Sequence, residues 1–395
     1  MGICSSNMNK LPPRVPGQAN PFYWACRNGE IDKVRKMLPN LTYEQVNEIQ
    51  PNGSTALHAA CFYNRPQIVQ LLLNSGCSRT IVNSHGNTAY QETTIPEIRT
   101  LFERPPSKRF VDENATESFK LLTKDGNDVK KGSNVPDDWV KGHTSADEAH
   151  EAQFMIAMAS SSNPLKQIVK SQAEKESIQN VTELVSHSVP EKHLKYKTMR
   201  ELYDKFMKKM GVGHLLSMYT LETPLYKNLQ TDVDSFTVLL YFHLDELQGR
   251  AFQGRSYRGA TMTQSDIGAY RWALEREGYV LETRVLQSTS LEKSKAQMFA
   301  TLKPNEGSHV RYSVLLTLDF PQKCPTAINL NKISETVPAL SEFEDEQEIL
   351  VLPYTLFSVR DIKIDSQSGQ YRITLTNVPT PKTSLLECIK HVQAD

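Results

Sequence analysis

Four things are scarce in this 395-residue chain. Net charge is absent, since 45 Lys+Arg stand against 45 Asp+Glu. That balance removes the long-range pull toward phosphate on which nucleic-acid binders rely, so no nucleic-acid partner is expected. Long apolar runs are missing too. The longest, Phe154–Ala159, falls far short of the ~20 residues that span a bilayer. Cysteines are few: Cys4, Cys26, Cys61, Cys77, Cys324 and Cys388 lie far apart, none in a CxxC, and no secretory segment is read at the start. A disulfide framework is therefore not expected, and the reducing cytosol is the expected compartment. Metal-ligand spacing is equally thin. The histidines form neither HExxH nor HxH, and His143, Asp147, Glu148 and His150 lack the convergent spacing of a zinc site, so no metal is assigned.

What is present suffices for packed cores. A hydrophobic fraction of 39% argues against wholesale disorder, and the length suits about two or three domains. The opening Met1-Gly2-Ile3-Cys4-Ser5-Ser6 fits M-G-x-x-x-[ST], the pattern for N-myristoylation of Gly2. One myristoyl chain holds a protein only marginally, and a palmitoylated Cys4 would supply the second anchor. Residues 1–18 are thus expected to be a lipidated arm, placing the protein in the cytoplasm, peripheral at the inner face of a membrane.

Residues 19–104 follow a repeat. Gly53-Ser54-Thr55-Ala56-Leu57-His58-Ala59-Ala60 carries T-x-L-H-x-A, and Gly86 and Thr88 repeat Gly53 and Thr55 at a spacing of 33. Upstream, Ala25-Cys26 and Val34 match Ala60-Cys61 and Val69 at an offset of 35. Ile95, Ile98, Leu101 and Phe102 form one apolar helical face that suits an atypical end repeat. The segment resembles ankyrin repeats, an α-solenoid, which implies recognition of a protein partner. In that signature His58 ties adjacent turns and is structural. Pro105-Pro106 closes the module, and 105–150, with turn chemistry at Asp125-Gly126-Asn127 and one candidate anchor in Trp139, reads as linker. Over 151–210 the pattern turns helical: Tyr196, Met199, Leu202, Tyr203, Phe206 and Met210 recur at helical steps.

From 211 to 378 short alternating apolar runs predict strands at Arg311–Phe320, Glu348–Val359 and Tyr371–Thr376, with 379–395 left as a tail. Three motifs stand in order on this background: Tyr257-Arg258-Gly259, Ser288-Thr289-Ser290 and Glu346-Gln347-Glu348. Ser288 lies 30 residues after Arg258, and Glu348 60 after Ser288. Each is weak alone; an STS tripeptide arises by chance in roughly one chain in ten of this size. The bland reading of Glu342, Glu344, Asp345, Glu346 and Glu348 is a solvated acidic loop. Order and spacing together argue otherwise.

The combination resembles the mono-ADP-ribosyltransferase family in its arginine-specific, R-S-ExE branch. Leu215–Tyr226 resembles the family's lead-in and Glu348–Pro353 its third catalytic strand, so the likeness covers roughly half the chain. It implies an α+β architecture in which the ankyrin solenoid precedes two packed, mostly antiparallel sheets with helices, with NAD between them. NAD would be a co-substrate, and no prosthetic group is implied. Arg258 would hold the diphosphate bidentately. Gly259 would let its backbone approach the carboxamide. Ser288 would fix the rotamer of Glu348, whose charge would steady the cationic ribose, while Thr289 and Ser290 stabilise the strand. Phe299 matches an aromatic that packs on nicotinamide, a core phenylalanine being the other reading. Glu346, expected on the same strand face as Glu348, would orient an acceptor arginine on a protein substrate, with Phe343 as the aromatic of the acceptor loop. Glu344, Glu346 and Glu348 all alternate, so the pair could slip by two; the Ile349–Pro353 run sets the register. Two other activities stay open: an NAD glycohydrolase with water as acceptor, and a non-catalytic ankyrin scaffold with a degenerate transferase domain. The intact Arg258, Ser288 and Glu348 set argues against the scaffold.

Overall fold

The computed structural model describes residues 18–104, 140–160, 164–209, 211–231, 233–300, 311–334 and 336–383. Gly2, Cys4, Trp139 and Met210 lie outside them. Helix pairs build the N-terminal part. Pro21–Asn28 pairs with Ile31–Met37, and Ala56–Phe62 with Pro66–Asn74; Pro96–Leu101 closes the stack, its partner reduced to turns at 89–92. Small residues let the helices approach: Ala25, Cys26, Ala60 and Cys61 are buried against Val34, Ile68, Leu72 and Ile98. Thr55 caps its helix through a capping box with His58. His58 Nδ1 accepts from the Thr55 N–H at 3.3 Å, and Nε2 lies 3.0 Å from the Asn87 carbonyl of the next turn. A carbonyl can only accept, so Nε2 carries the proton. Burial, the main cause, holds this imidazole below its ordinary pKa and keeps it neutral.

The stretch expected to be linker contributes structure at its end. Val140–His143 is a strand, β1, and a helix starts at His150. The helical segment then runs as His150–Ser160, Pro164–Ser188 and Tyr196–Lys209, the last burying Met199, Tyr203 and Phe206 on one face. Seven further strands follow: β2 (Ala251–Thr263), β3 (Val280–Thr283), β4 (Gln287–Ser290), β5 (Arg311–Asn329), β6 (Glu348–Val351), β7 (Leu356–Ile364) and β8 (Tyr371–Val378). The expected strand Glu348–Val359 is two, because Pro353 has no N–H to give and Tyr354 takes a φ of 66°. Strand β5 outruns its expected end despite Pro321 and Pro325. Those prolines fall at the two register shifts against β2, Pro321 at that between Phe252 and Gly254 and Pro325 at that between Ala251 and Phe252, so no regular ladder bond is lost.

The two expected sheets are joined into one. Its strand order is β1-β3-β7-β8-β5-β2-β4-β6, and β6 also pairs β5, so the sheet curls back on itself. Only β5 and β8 run parallel among the described pairs. Strand β6 is covered on both faces. Ile349 and Val351 join a core with Leu316, Phe320 and Phe357, while Leu350 joins a second core with Leu216, Leu240 and the helices around them. Glu348 shares the Leu350 face by the period of two.

Gly259, in the middle of β2, is where the helix Lys293–Phe299 crosses closest. A Cβ there would meet the Ala296 carbonyl oxygen at 1.9 Å and the Ala300 nitrogen at 2.6 Å. The glycine is therefore demanded by backbone packing within the chain, in addition to the ligand approach expected of it. Gly259→Ala is expected to cost about 1–3 kcal/mol by forcing helix and strand apart. Thermal unfolding should show a midpoint several degrees lower; an unchanged midpoint would mean the helix yields freely.

Candidate active site

Three strands bring the spaced motifs together. Strands β4 and β6 pair antiparallel with Ser288 opposite Leu350 and Ser290 opposite Glu348. Ser288 and Glu348 are thus diagonal neighbours on one face, within reach of each other. Ser288 Oγ donates to Glu348 Oε1. The other carboxylate oxygen accepts from Ser341 Oγ at 3.3 Å. Asn331 Nδ2 donates to the Glu348 carbonyl at 3.3 Å, so side chain and backbone of this glutamate are both held. Glu348 is only 2% exposed, and a buried carboxylate kept in one rotamer by hydroxyl donors is a preorganised negative charge.

Arg258 reaches the same place from β2, where Tyr257 pairs with Ser290 of β4. Its Nη1 donates to the Ser288 carbonyl at 2.7 Å, which aims the guanidinium along the strand ends. Tyr257, Arg258, Gly259, Ser288, Thr289, Ser290, Ala296, Phe299 and Glu346 line one cleft. Phe299 is half-buried at its wall. Thr289 Oγ1 donates to the Ile349 carbonyl at 2.8 Å, a bond within the strand pair. Ser290 does more than that: its Oγ donates to the Glu346 carbonyl at 2.6 Å and accepts from the Glu292 N–H. It fastens the acidic loop to the cleft.

Glu346 does not sit on the strand. Residues Glu344–Glu346 form a 3₁₀ turn, Gln347 takes a left-handed φ of 48°, and the ladder starts at Glu348. The turn, rather than strand alternation, turns Glu346 to the cleft. Nor is the run of carboxylates a solvated loop. Glu342 accepts from Lys195 Nζ at 2.5 Å, with Arg79 at 3.7 Å. Glu344 accepts from Thr88 Oγ1 and, at 2.6 Å, from Gln91 Nε2. Asp345 pairs with Lys295 at 2.8 Å. Burial, the largest cause, pushes the carboxyls of Glu344 and Asp345 above their ordinary pKa, and these donors oppose the push.

The Glu346 carboxylate receives a two-pronged bond from Arg104, Nε to Oε1 at 2.7 Å and Nη2 to Oε2 at 3.0 Å. Arg104 Nη1 donates to Glu222 Oε2 at 2.6 Å, and its guanidinium lies 3.9 Å from the Phe343 ring centre. Burial alone would lower the pKa of this guanidinium. The charges of Glu346, Glu222 and Glu348 override that and hold it above its usual value. Sequence reading passed over Arg104, Glu222, Ser341 and Asn331. Glu222 lies within the Leu215–Tyr226 lead-in without a role assigned to it, the others stand in no motif, and Arg104 lies 242 residues from the glutamate it binds.

Known proteins bear on the two parts differently. The family "Ankyrin repeats (3 copies)" matches residues 4–90. The NAD-capped RNA hydrolase NUDT12 of Pongo abelii is 30% identical over 160 residues, 38% of this chain and 33% of that protein. The chain thus spans about a third of the length of that relative. The Notch-regulated ankyrin repeat-containing protein of Xenopus laevis is 31% identical over 77 residues, 19% of this chain and 68% of that protein. Among solved structures, the ADP-ribosyltransferase HopU1 of Pseudomonas syringae pv. Tomato DC3000 aligns with 46% of this chain and 87% of its own, at 17% identity and a TM-score of 0.33. An alignment at that score leaves chemistry to the residues of the cleft. Repeat spacing, stacked helix pairs and these matches agree on the N-terminal module, and the chain belongs to the ankyrin-repeat proteins.

Proposed function

We propose that the sheet-rich part of the chain is an ADP-ribosyltransferase that moves ADP-ribose from NAD to an arginine side chain of a protein and releases nicotinamide. One observation carries this reading. Arg258, Ser288 and Glu346 line one cleft, and Glu348, 60 residues after Ser288, is buried directly behind Ser288 and bonded to its hydroxyl. The ankyrin module would serve recognition of a protein partner.

The residues divide the work by charge. Arg258 offers a planar fork for diphosphate oxygens. Nicotinamide leaves neutral with the electron pair of its bond to the ribose, and positive charge builds on the sugar, as in glycoside hydrolysis. Glu348, dry and held by two hydroxyls, is assigned to oppose that charge. The acceptor guanidinium forms the new nitrogen–carbon bond and gives up a proton, for which Glu346 is the base. A carboxylate at this position suits an arginine acceptor because it both orients the fork and takes the proton. NAD hydrolysis, with water in the acceptor's place, needs Glu348 but not Glu346.

Labelled NAD with agmatine as acceptor tests the assignment. Glu348→Gln should reduce both transfer and NAD hydrolysis by a factor of some hundred to a thousand, the loss of one electrostatic contact in the transition state. Glu346→Gln should abolish transfer while hydrolysis survives. Equal loss of both activities in both variants would defeat the division of labour, and full activity in Glu348→Gln would remove Glu348 from the chemistry. Arg258→Lys should weaken NAD binding by at least about tenfold, since a point charge cannot reproduce the fork. Unchanged affinity would remove Arg258 from the site.

The reading also includes a membrane tether, supported by the Met1–Ser6 pattern. Gly2→Ala should release the protein from cell membranes, because acylation of Cys4 would follow that of Gly2. A variant that stays membrane-bound in high salt would end the lipid hypothesis.

A further inference from the structure

The acidic loop carries a guanidinium that belongs to another part of the chain. Arg104 stands just past the last ankyrin helix, Pro96–Leu101, and its side chain is buried against the loop. Its three nitrogens all donate to carboxylates, two to Glu346 and one to Glu222, and its face lies over Phe343. Bidentate carboxylate, third carboxylate and aromatic face together make a set built for a guanidinium and for little else: an ammonium has no plane to stack and no fork to match. We propose that Glu346, Glu222 and Phe343 form a guanidinium-binding site, that Arg104 is its ligand in cis, and that an acceptor arginine enters only by displacing it. The inference rests on the reading of Glu346 as the acceptor's partner, and it adds Glu222 to that site.

The neighbouring contacts explain why Arg104 arrives there. The ankyrin module clasps the loop and its surroundings at further points, besides Arg79 beside Glu342. Thr88 and Gln91 donate to Glu344. Lys332 donates to the Gly86 carbonyl and lies 3.3 Å from Gln91 Oε1. Lys295 bridges Glu103 at 3.1 Å to Asp345. These bonds hold the end of the module against the cleft, so Arg104 is presented at a high effective concentration. It is an occupant, not an acceptor. With every nitrogen donating to a carboxylate and the group kept protonated, no lone pair is offered to the ribose.

Occupancy in cis lowers apparent acceptor affinity by the fraction of time the site is open. The test uses the full chain, NAD and agmatine. Arg104→Gln should lower the KM for agmatine by about tenfold or more, with a smaller change in kcat. Lys332→Ala loosens the docking while leaving Arg104 and every cleft residue in place, and should lower the same KM in the same direction. It keeps the test sound should Arg104→Gln fail to fold. In the Arg104→Gln background, Glu222→Gln should raise the KM again, because Glu222 then holds the incoming guanidinium. An unchanged KM in both Arg104→Gln and Lys332→Ala overturns the occlusion while transfer itself stands. ADP-ribose recovered on Arg104 of the wild-type chain overturns it too, by making that residue an acceptor. NAD hydrolysis with no transfer to agmatine in any variant overturns instead the arginine reading beneath it.

Discussion

The structure turns on the burial of one acidic loop. Glu342, Glu344, Asp345 and Glu346 follow almost without interruption, and all are at least partly withdrawn from water. Carboxylates in that position must be paired or hydrogen-bonded, or they lose their charge. The loop itself supplies no cation. Arg79, Thr88, Gln91 and Arg104 come from the ankyrin module, Lys195 from the lead-in to the helix Tyr196–Lys209, and Lys295 from the helix beside Gly259. The loop is therefore a shared property of three parts of the chain. Taking away one partner of such a pair costs about 3–5 kcal/mol, mostly for the charge left behind.

Seen from the cleft, the same loop joins two kinds of rigidity. On one side it runs into β6, whose Ile349 and Val351 are locked in one core and Leu350 in another. That double burial leaves Glu348 no freedom to retreat, and Ser288 and Ser341 fix its carboxylate. On the other side the loop is fixed by the buried Phe343 and by polar bonds, among them those from Ser290 to the Glu346 carbonyl and from Leu291 N–H to that of Gln347. Glu348 is set in packed apolar structure, whereas Glu346 is set in exchangeable hydrogen bonds.

That difference also decides what could be read from the sequence. Ser288 and Glu348 were legible because a strand pair converts fixed spacing into a fixed neighbour, and because the apolar run after Glu348 marks its strand. The ankyrin module was legible for a similar reason: Thr55, His58 and the glycines carry their turn chemistry locally. Glu346 was misplaced, since the run Glu342–Glu346 has little β propensity and folds as a turn ended by Gln347. The split after Val351 followed from Pro353, a signal that was present and underweighted. Arg104 and Ser341 carry no signal, and Glu222, though inside the Leu215–Tyr226 segment, carries none for its role. Their roles arise from contacts across 242 and 118 residues, or from a hydroxyl seven residues from Glu348, and only packing brings those together.

The exchange proposed at Glu346 rests on the same electrostatics. Lifting Arg104 away with nothing in its place would leave the buried Glu346 without the guanidinium that pairs it, a loss that a buried charge resists strongly. An arriving arginine meets no such penalty, because the carboxylates trade one guanidinium for another of the same shape and charge. The barrier to opening is therefore selective by nature: it is high for an empty site, high for a ligand without a fork, and low for the group that the loop already holds. A lysine could restore the charge but not the paired bonds or the contact with Phe343. A loop that buries its carboxylates under its own arginine is therefore the observation on which the proposed match to an acceptor arginine rests.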